Sequence, residues 1–342
     1  MKIRARAPLR LGLAGGGTDV SPYCDEHGGL VLNATIDKYA YVTIEDSPDG
    51  DLHVVSADRQ LQSAVDPRDC EKLSGAFDLH MGVYRRMIEE FNGGVPDPLK
   101  ITTHTDAPPG SGLGSSSTLV VAMVAAFAHW FRLPLGQYDI AQIAWEVERE
   151  ELGLAGGRQD QYAAAFGGFN FMEFHVGGGV VVNPLRVRRW IVSEFEASLL
   201  LYFGGVSRQS ADIIEQQADN VRHGVTAALD ATHDLKWEAL RMKEALLKGD
   251  FDGVVGSLQS SWVAKRLLAE SITNPDIERA HEVATSCGMR AGKVSGAGGG
   301  GFMMILVDAV RRMDVMRGLQ ALGGTVSTCH FTPEGAESWR AG

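Results

Sequence analysis

Along this chain, short segments with an apolar side chain at every second position are interleaved with longer ones in which apolar residues recur every three to four. That pattern reads as a mixture of strands and helices. Residues 2–7 alternate polar and apolar, and 29–36 and 39–44 have the composition of sheet segments, while the breakers Ser47, Pro48, Asp49 and Gly50 separate a pair of strands. Helical spacing takes over at 77–91 and strand character returns at 100–105. An apolar run at 118–131 is long enough for a buried helix, and another helix is predicted over 138–152, beginning soon after Pro134 and stopping before Gly153. Residues 169–183 read as a hairpin turning at Gly177, Gly178 and Gly179. Beyond Pro184 the pattern predicts a strand at 197–203, helices at 210–247, 251–268 and 274–287, and strands at 302–307 and 324–330 flanking a helix at 309–322. At 342 residues the chain exceeds one ordinary domain, and a division near residue 185 gives units 1–185 and 186–342.

Composition narrows the function classes. With 44% hydrophobic and 22% charged residues, and no stretch approaching the ~20 apolar residues of a membrane span, a soluble globular protein is expected. The opening residues pass into a glycine-rich turn without the apolar stretch of an export signal, so a cytoplasmic location is expected. A net charge of −11 has the wrong sign for a general binder of nucleic acid or anionic membrane, so any anion must be held by local groups. Cys24, Cys70, Cys287 and Cys329 lie far apart, with no Cys-x-x-Cys pair to suggest zinc.

Glycine is concentrated at Ala14 to Asp19, at Pro109 to Ser117 and at Ser295 to Gly301. Such runs make turns, and they also let successive backbone N–H groups converge on an anion. The middle cluster stands immediately before the long apolar helix, where free N–H groups and the helix dipole receive phosphate. It is not a P-loop, because Ser115 rather than lysine follows Gly114. Gly296, Gly298 and Gly301 match a dinucleotide fingerprint, but the residues after them, Phe302 to Val307, read as strand, which excludes it and with it a nicotinamide oxidoreductase.

Pro109-Gly110-Ser111-Gly112-Leu113-Gly114-Ser115-Ser116-Ser117 resembles the phosphate-binding motif of the GHMP kinases. Residues 7–19 resemble that family's first motif, and 293–301 its third, in family order and across most of the chain. The resemblance implies an α+β, two-domain fold, with an N-terminal ATP-binding domain built on a mixed sheet and a ferredoxin-like C-terminal domain. It also implies ATP and Mg²⁺. Within the superfamily, Arg10 to Asp19, Tyr23 to Gly29 and Asn33 to Lys38 are most similar to the heptose 7-phosphate kinases, whose product leads to nucleotide-activated heptose for surface glycans. The alternatives are a kinase of a free sugar such as fucose or galactose, and a catalytically silent sugar-binding relative.

By the same resemblance the site residues are as follows. Asp160 is the base that takes the proton of the acceptor hydroxyl, and Arg10 stands beside that hydroxyl, the alternative being an arginine paired with a surface carboxylate. Pro109 to Ser117 hold ATP. Ser116 and Glu148 bind Mg²⁺, with Ser115, Glu146, Glu150 and Glu151 as alternatives one register shift away. Gly16, Gly17, Thr18 and Asp19 face the substrate, although Asp19 also suits an Asx turn, and Gly298 and Gly299 offer it N–H groups. Lys293 adds charge or is a solvated strand-end lysine. A sugar phosphate needs a second anion site, for which Lys38, Arg208, Lys265 and Arg290 are candidates by charge alone.

Overall fold

The computed structural model describes residues 1–73, 75–205 and 210–342. The first sheet contains β1 (Lys2–Ala14), β2 (Gly29–Asp46), β3 (Leu52–Ser56), β4 (Leu61–Val65), β5 (Leu99–Thr105), β6 (Phe169–Phe174) and β7 (Val180–Pro184). The second contains β8 (Leu199–Phe203), β9 (Met289–Val294), β10 (Phe302–Val307) and β11 (Thr325–Ser327). A last strand, β12 (Glu337–Arg340), returns to the first sheet and pairs antiparallel with β1. The order of the first sheet is β12-β1-β2-β5-β3-β4, with β6 and β7 continuing from β2, and β3 against β5 as its one parallel pair among the described residues.

β2 is continuous across the two segments expected from the pattern, because it serves two partners: Ala40–Asp46 pairs with β5 and Gly29–Ala34 with β6. In β1 the alternation holds only to Ala7, and from there to Ala14 every residue is buried. The helices explain the change. In the first half of the chain they are α1 (Tyr23–His27), α2 (Asp78–Phe91), α3 (Ser115–Trp130), α4 (Gln137–Trp145) and α5 (Gln159–Phe166). The second half adds α6 (Arg189–Ser198), α7 (Ser210–Arg222), α8 (Thr226–Lys248), α9 (Phe251–Arg266), α10 (Pro275–Cys287) and α11 (Arg312–Gln320). α3 and α5 pack on one side of the far half of β1 and β2, and α8 and α9, from the second half of the chain, cover the other. Leu9, Leu11, Leu13 and Leu32 therefore share one core with Leu199, Leu201, Phe302 and Met304 of the second sheet, and this continuous apolar contact fixes the two halves against each other. The second sheet is itself covered on both faces, which is why 302–307 is an unbroken apolar run: Phe302, Met304 and Leu306 face one core, and Met303, Ile305 and Val307 the other.

Several predicted boundaries move. The helix expected at 210–247 is two, α7 and α8, divided at Gly224, whose φ of 66° breaks the helix. The helix expected at 138–152 leaves α geometry after Trp145 and continues as a π-helical turn, Glu146–Glu151. α5, α6, β9 and β12 carry too little periodicity to be predicted.

Candidate active site

The loop at Pro109 to Ser117 is held from both domains. The Leu113 carbonyl accepts the N–H of Arg10 at 3.1 Å and the Ser111 carbonyl accepts the N–H of Phe302 at 2.8 Å. Ser111 and Leu113 consequently point into the protein, while Pro109, Gly110, Gly112, Gly114, Ser115, Ser116 and Ser117 line a cleft of about 430 Å³. α3 starts at Gly114 without a side-chain cap, so its first N–H groups are available to an anion at the cleft. The Ser116 side chain is exposed there, and the Ser115 hydroxyl donates to the Pro108 carbonyl at 3.3 Å.

The third glycine cluster has a different use from the one expected. A Cβ at Gly296 would lie 2.7 Å from Gly112 Cα, and one at Gly301 only 2.4 Å from the Ser111 oxygen. Glycine lets the two domains meet backbone to backbone at this point, and Ser295 adds a hydroxyl bond to the Gly112 carbonyl at 2.9 Å. Gly298 and Gly299 do not line the cleft: Gly298 packs on Ile272, and the Gly299 N–H is taken by the Ile272 carbonyl at 2.7 Å. Gly296 and Ala297 stand at the cleft in their place.

Arg10 lies in the doubly covered half of β1 and is 4% exposed, a position that demands a partner for its charge. Asp160, in the first turn of α5, supplies it: Arg10 Nε donates to Asp160 Oδ1 at 2.7 Å, Nη2 lies 2.6 Å from the same oxygen as an ion pair, and Nη1 donates to the Gly112 carbonyl at 2.7 Å. The second oxygen, Oδ2, is turned toward the loop at Pro109 to Ser117, 3.1 Å from where a Cβ of Gly114 would be. The surface-paired alternative for Arg10 does not hold.

Asp19 is 1% exposed and accepts four N–H donors: Gly17 N to Oδ1 at 3.2 Å, Gln159 Nε2 to Oδ1, and the backbone N–H groups of Arg158 and Gln159 to Oδ2, the last three at 3.0 Å each. A carboxylate has about four lone-pair sites, so none is left for sugar hydroxyls. Asp19 acts instead as the cap of α5, whose own N-cap residue, Arg158, contributes no side-chain bond. Burial raises its pKa against the pull of those N–H donors. Thr18 also departs from expectation: its hydroxyl donates to the Gly15 and Leu30 carbonyls and accepts from Leu30 N, tying the first loop to β2 away from the cleft. Gly16, Gly17 and Asp19 do line the cleft, beside Gln159, whose buried Oε1 has no hydrogen-bond partner.

Glu148 sits in the π-helical turn, 1% exposed, with its side chain at the cleft. Ser117 Oγ donates to its Oε1 at 3.1 Å, Gln161 Nε2 to its Oε2 at 2.6 Å, and Arg149 approaches Oε1 at 3.8 Å. Burial pushes its pKa up, while the Arg149 charge and the two hydrogen bonds pull it down. Glu146 and Glu151 face Arg86 instead, which removes them as alternatives. Among the described residues no group of three or more His, Cys, Asp or Glu side chains is gathered as a metal cage. The Glu148 carboxylate and the Ser116 and Ser117 hydroxyls, all of residues that line the cleft, are nevertheless hard oxygen donors, and they suit an ion that keeps its waters and takes few protein ligands.

Charge alone does not rank the lysines. Lys265 and Lys293 both reach the cleft; Lys38 and Arg290 do not line it, and Arg208 lies outside the described residues. Gln159, Gln161 and Arg149 also serve the site, and the sequence does not reveal them because nothing in their spacing distinguishes them from a solvated helix face.

Comparison with known proteins is consistent with this geometry. The GHMP kinases N terminal domain matches residues 78–168, and the GHMP kinases C terminal matches residues 242–323. The chain is 44% identical over 340 residues, 99% of each chain, to a D-glycero-alpha-D-manno-heptose 7-phosphate kinase of Campylobacter jejuni. It is 25% identical over 331 residues to an L-fucokinase/L-fucose-1-P guanylyltransferase of Bacteroides fragilis, covering 89% of this chain and 34% of that one. A crystal structure described as a D-glycero-D-manno-heptose 1-phosphate kinase from Bacteriodes thetaiotaomicron superposes with a TM-score of 0.84 at 44% identity, covering 99% of both chains. No helix among the described residues is long and apolar enough to cross a membrane.

Proposed function

The chain belongs to the GHMP kinase family, and from that premise we propose that it moves the γ-phosphoryl group of ATP onto D-glycero-D-manno-heptose 7-phosphate, giving the 1,7-bisphosphate. The full-length likeness to a heptose 7-phosphate kinase supports the acceptor. The observation that carries the chemistry is the Arg10–Asp160 pair, with one carboxylate oxygen held by the guanidinium and the other facing the phosphate loop. Asp160 Oδ2 takes the proton of the acceptor hydroxyl while the hydroxyl oxygen bonds to the γ-phosphorus and the bond from that phosphorus to the bridging oxygen of ADP breaks. Arg10 orients the carboxylate and places a fixed positive charge beside the group in transit. The N–H groups at the start of α3 hold the phosphates. Gln159 Oε1 is an acceptor for a substrate hydroxyl, in the place expected of Asp19.

Glu148, Ser116 and Ser117 are the residues that would hold Mg²⁺. When bound, the ion neutralises phosphate charge. Glu148→Gln is expected to raise the Mg²⁺ concentration for half-maximal turnover by about tenfold or more. A magnesium titration of the initial rate checks this, and an unchanged midpoint removes Glu148 from that role.

The acceptor is tested by initial rates on heptose 7-phosphate, unphosphorylated heptose, fucose and galactose at equal ATP. The expected order places heptose 7-phosphate first in kcat/KM; a free sugar in first place leaves a kinase but discards this acceptor.

A further inference from the structure

Beside the reacting pair, the cleft contains two lysine amino groups that the steps above do not employ. Lys265, on α9, and Lys293, on β9, are only 6% and 4% exposed, yet both line the cleft. Each is anchored to a carbonyl, Lys265 Nζ to that of Gly296 and Lys293 Nζ to that of Leu13 at 3.0 Å. An ammonium has three N–H donors, so further donors on each remain for a ligand. Arg10 has Asp160 and Arg149 has Glu148, but neither lysine has a carboxylate within ion-pair distance among the described residues. Asp19, whose charge reaches Lys265, has its oxygens taken by N–H donors. Burial, reinforced by Arg10, holds the Lys265 pKa down to about 8, and burial with the charges of Lys265 and Arg10 puts Lys293 well below the lysine range. Charging a buried amine without a counter-ion is costly, and a multiply charged anion entering from solvent lowers that cost and favours the ammonium form.

We infer that Lys265 and Lys293 form a phosphoryl-binding site on the second domain's wall of the cleft, separate from the N–H groups at the start of α3. This rests on the reading of the cleft as a kinase site. Two sources have the required chemistry: the phosphate that the sugar already carries, and the γ-phosphoryl group in transit. The site supplies what the sequence requires and does not locate, a set of cations for a second phosphate in a chain of net charge −11.

The test compares wild type with Lys265→Met, Lys293→Met and Lys265→Arg, using heptose 7-phosphate and unphosphorylated heptose as acceptors. ADP-induced thermal stabilisation reports whether each variant keeps its fold and nucleotide site. In the methionine variants kcat/KM for heptose 7-phosphate is expected to fall by about tenfold or more, the loss of one charged hydrogen bond, with partial recovery in Lys265→Arg. A loss confined to KM for heptose 7-phosphate assigns the site to the sugar's own phosphate. A fall in kcat that is equal on both acceptors assigns it to the group in transit. Methionine variants that bind ADP and keep wild-type kcat and KM on both acceptors overturn the proposal, as do variants that lose ADP binding in step with activity. If the wild type uses neither acceptor, the kinase reading fails by itself, and inorganic phosphate then reads the site: stabilisation of the wild type but not of Lys265→Met upholds it, and no stabilisation of the wild type overturns it.

Discussion

Asp160→Asn lowers kcat by about 10³-fold, within the 10²–10⁴ range of a positioned general base, and leaves ADP binding at its wild-type strength. The two effects separate because the phosphate loop does not depend on the Asp160 charge. Its carbonyls are held by Arg10 N and Phe302 N, and Arg10 keeps its own bond to the Gly112 carbonyl in the variant. The substitution preserves shape and hydrogen-bonding capacity toward Arg10 but removes the basic oxygen that faces the loop. Steady-state kinetics with a parallel ADP titration checks it. Turnover within a few-fold of wild type takes the base role away from Asp160.

Asp19→Ala is expected to lower stability by about 2–4 kcal/mol and kcat by about 10²-fold through loss of the acceptor that closes α5. The carboxylate closes the N-terminus of α5 from 139 residues away, and Asp160 is the second residue of that helix. Without it, the N–H groups of Arg158 and Gln159 lose their acceptor in a largely buried setting, and the first turn that orients Asp160 loosens. Asp19→Asn retains a carbonyl oxygen for those two N–H groups and should recover most of the stability. Thermal unfolding and kcat of the two variants check this together. An alanine variant with wild-type Tm but a raised KM for the sugar would reverse the assignment and return Asp19 to the substrate.

The difference between these two aspartates shows what is legible in the chain. The three glycine clusters, in order, point to the family and to the loop at Pro109 to Ser117, because phosphate binding by backbone N–H groups leaves a local signature in glycine and serine. Asp160 and Arg10 are found by resemblance to the motifs around them, and the structure brings them together from opposite ends of the first domain. Asp19 has a motif as well, but its use depends on a helix terminus that lies far along the chain and carries no cap residue of its own. Sequence spacing does not encode such a contact. Gly298 and Gly299 mislead for a related reason: a glycine that frees an N–H for a ligand and one that makes room for another backbone have the same appearance in sequence. Lys265 is one cation among several until its burial, and the absence of a carboxylate partner among the described residues, distinguish it.

In the fold, strands 99–105 and 302–307 and the helices with one apolar face are legible, since each has a periodicity set by a single neighbouring layer. Elements whose surroundings come from both halves of the chain are not. β12 is four residues long and exists because β1 offers it an edge, and α6 is placed by the core that the two sheets share.

The central claim is phosphoryl transfer from ATP to a heptose that already carries a phosphate. Phosphorus NMR of the product formed from D-glycero-D-manno-heptose 7-phosphate and ATP, with ADP measured in the same mixture, tests it most directly. The account predicts a new phosphate signal on the anomeric carbon, an unaltered 7-phosphate and one ADP per sugar converted. ADP release with no new sugar phosphate signal, or no ADP release with heptose 7-phosphate under conditions in which fucose or galactose is phosphorylated, would contradict it.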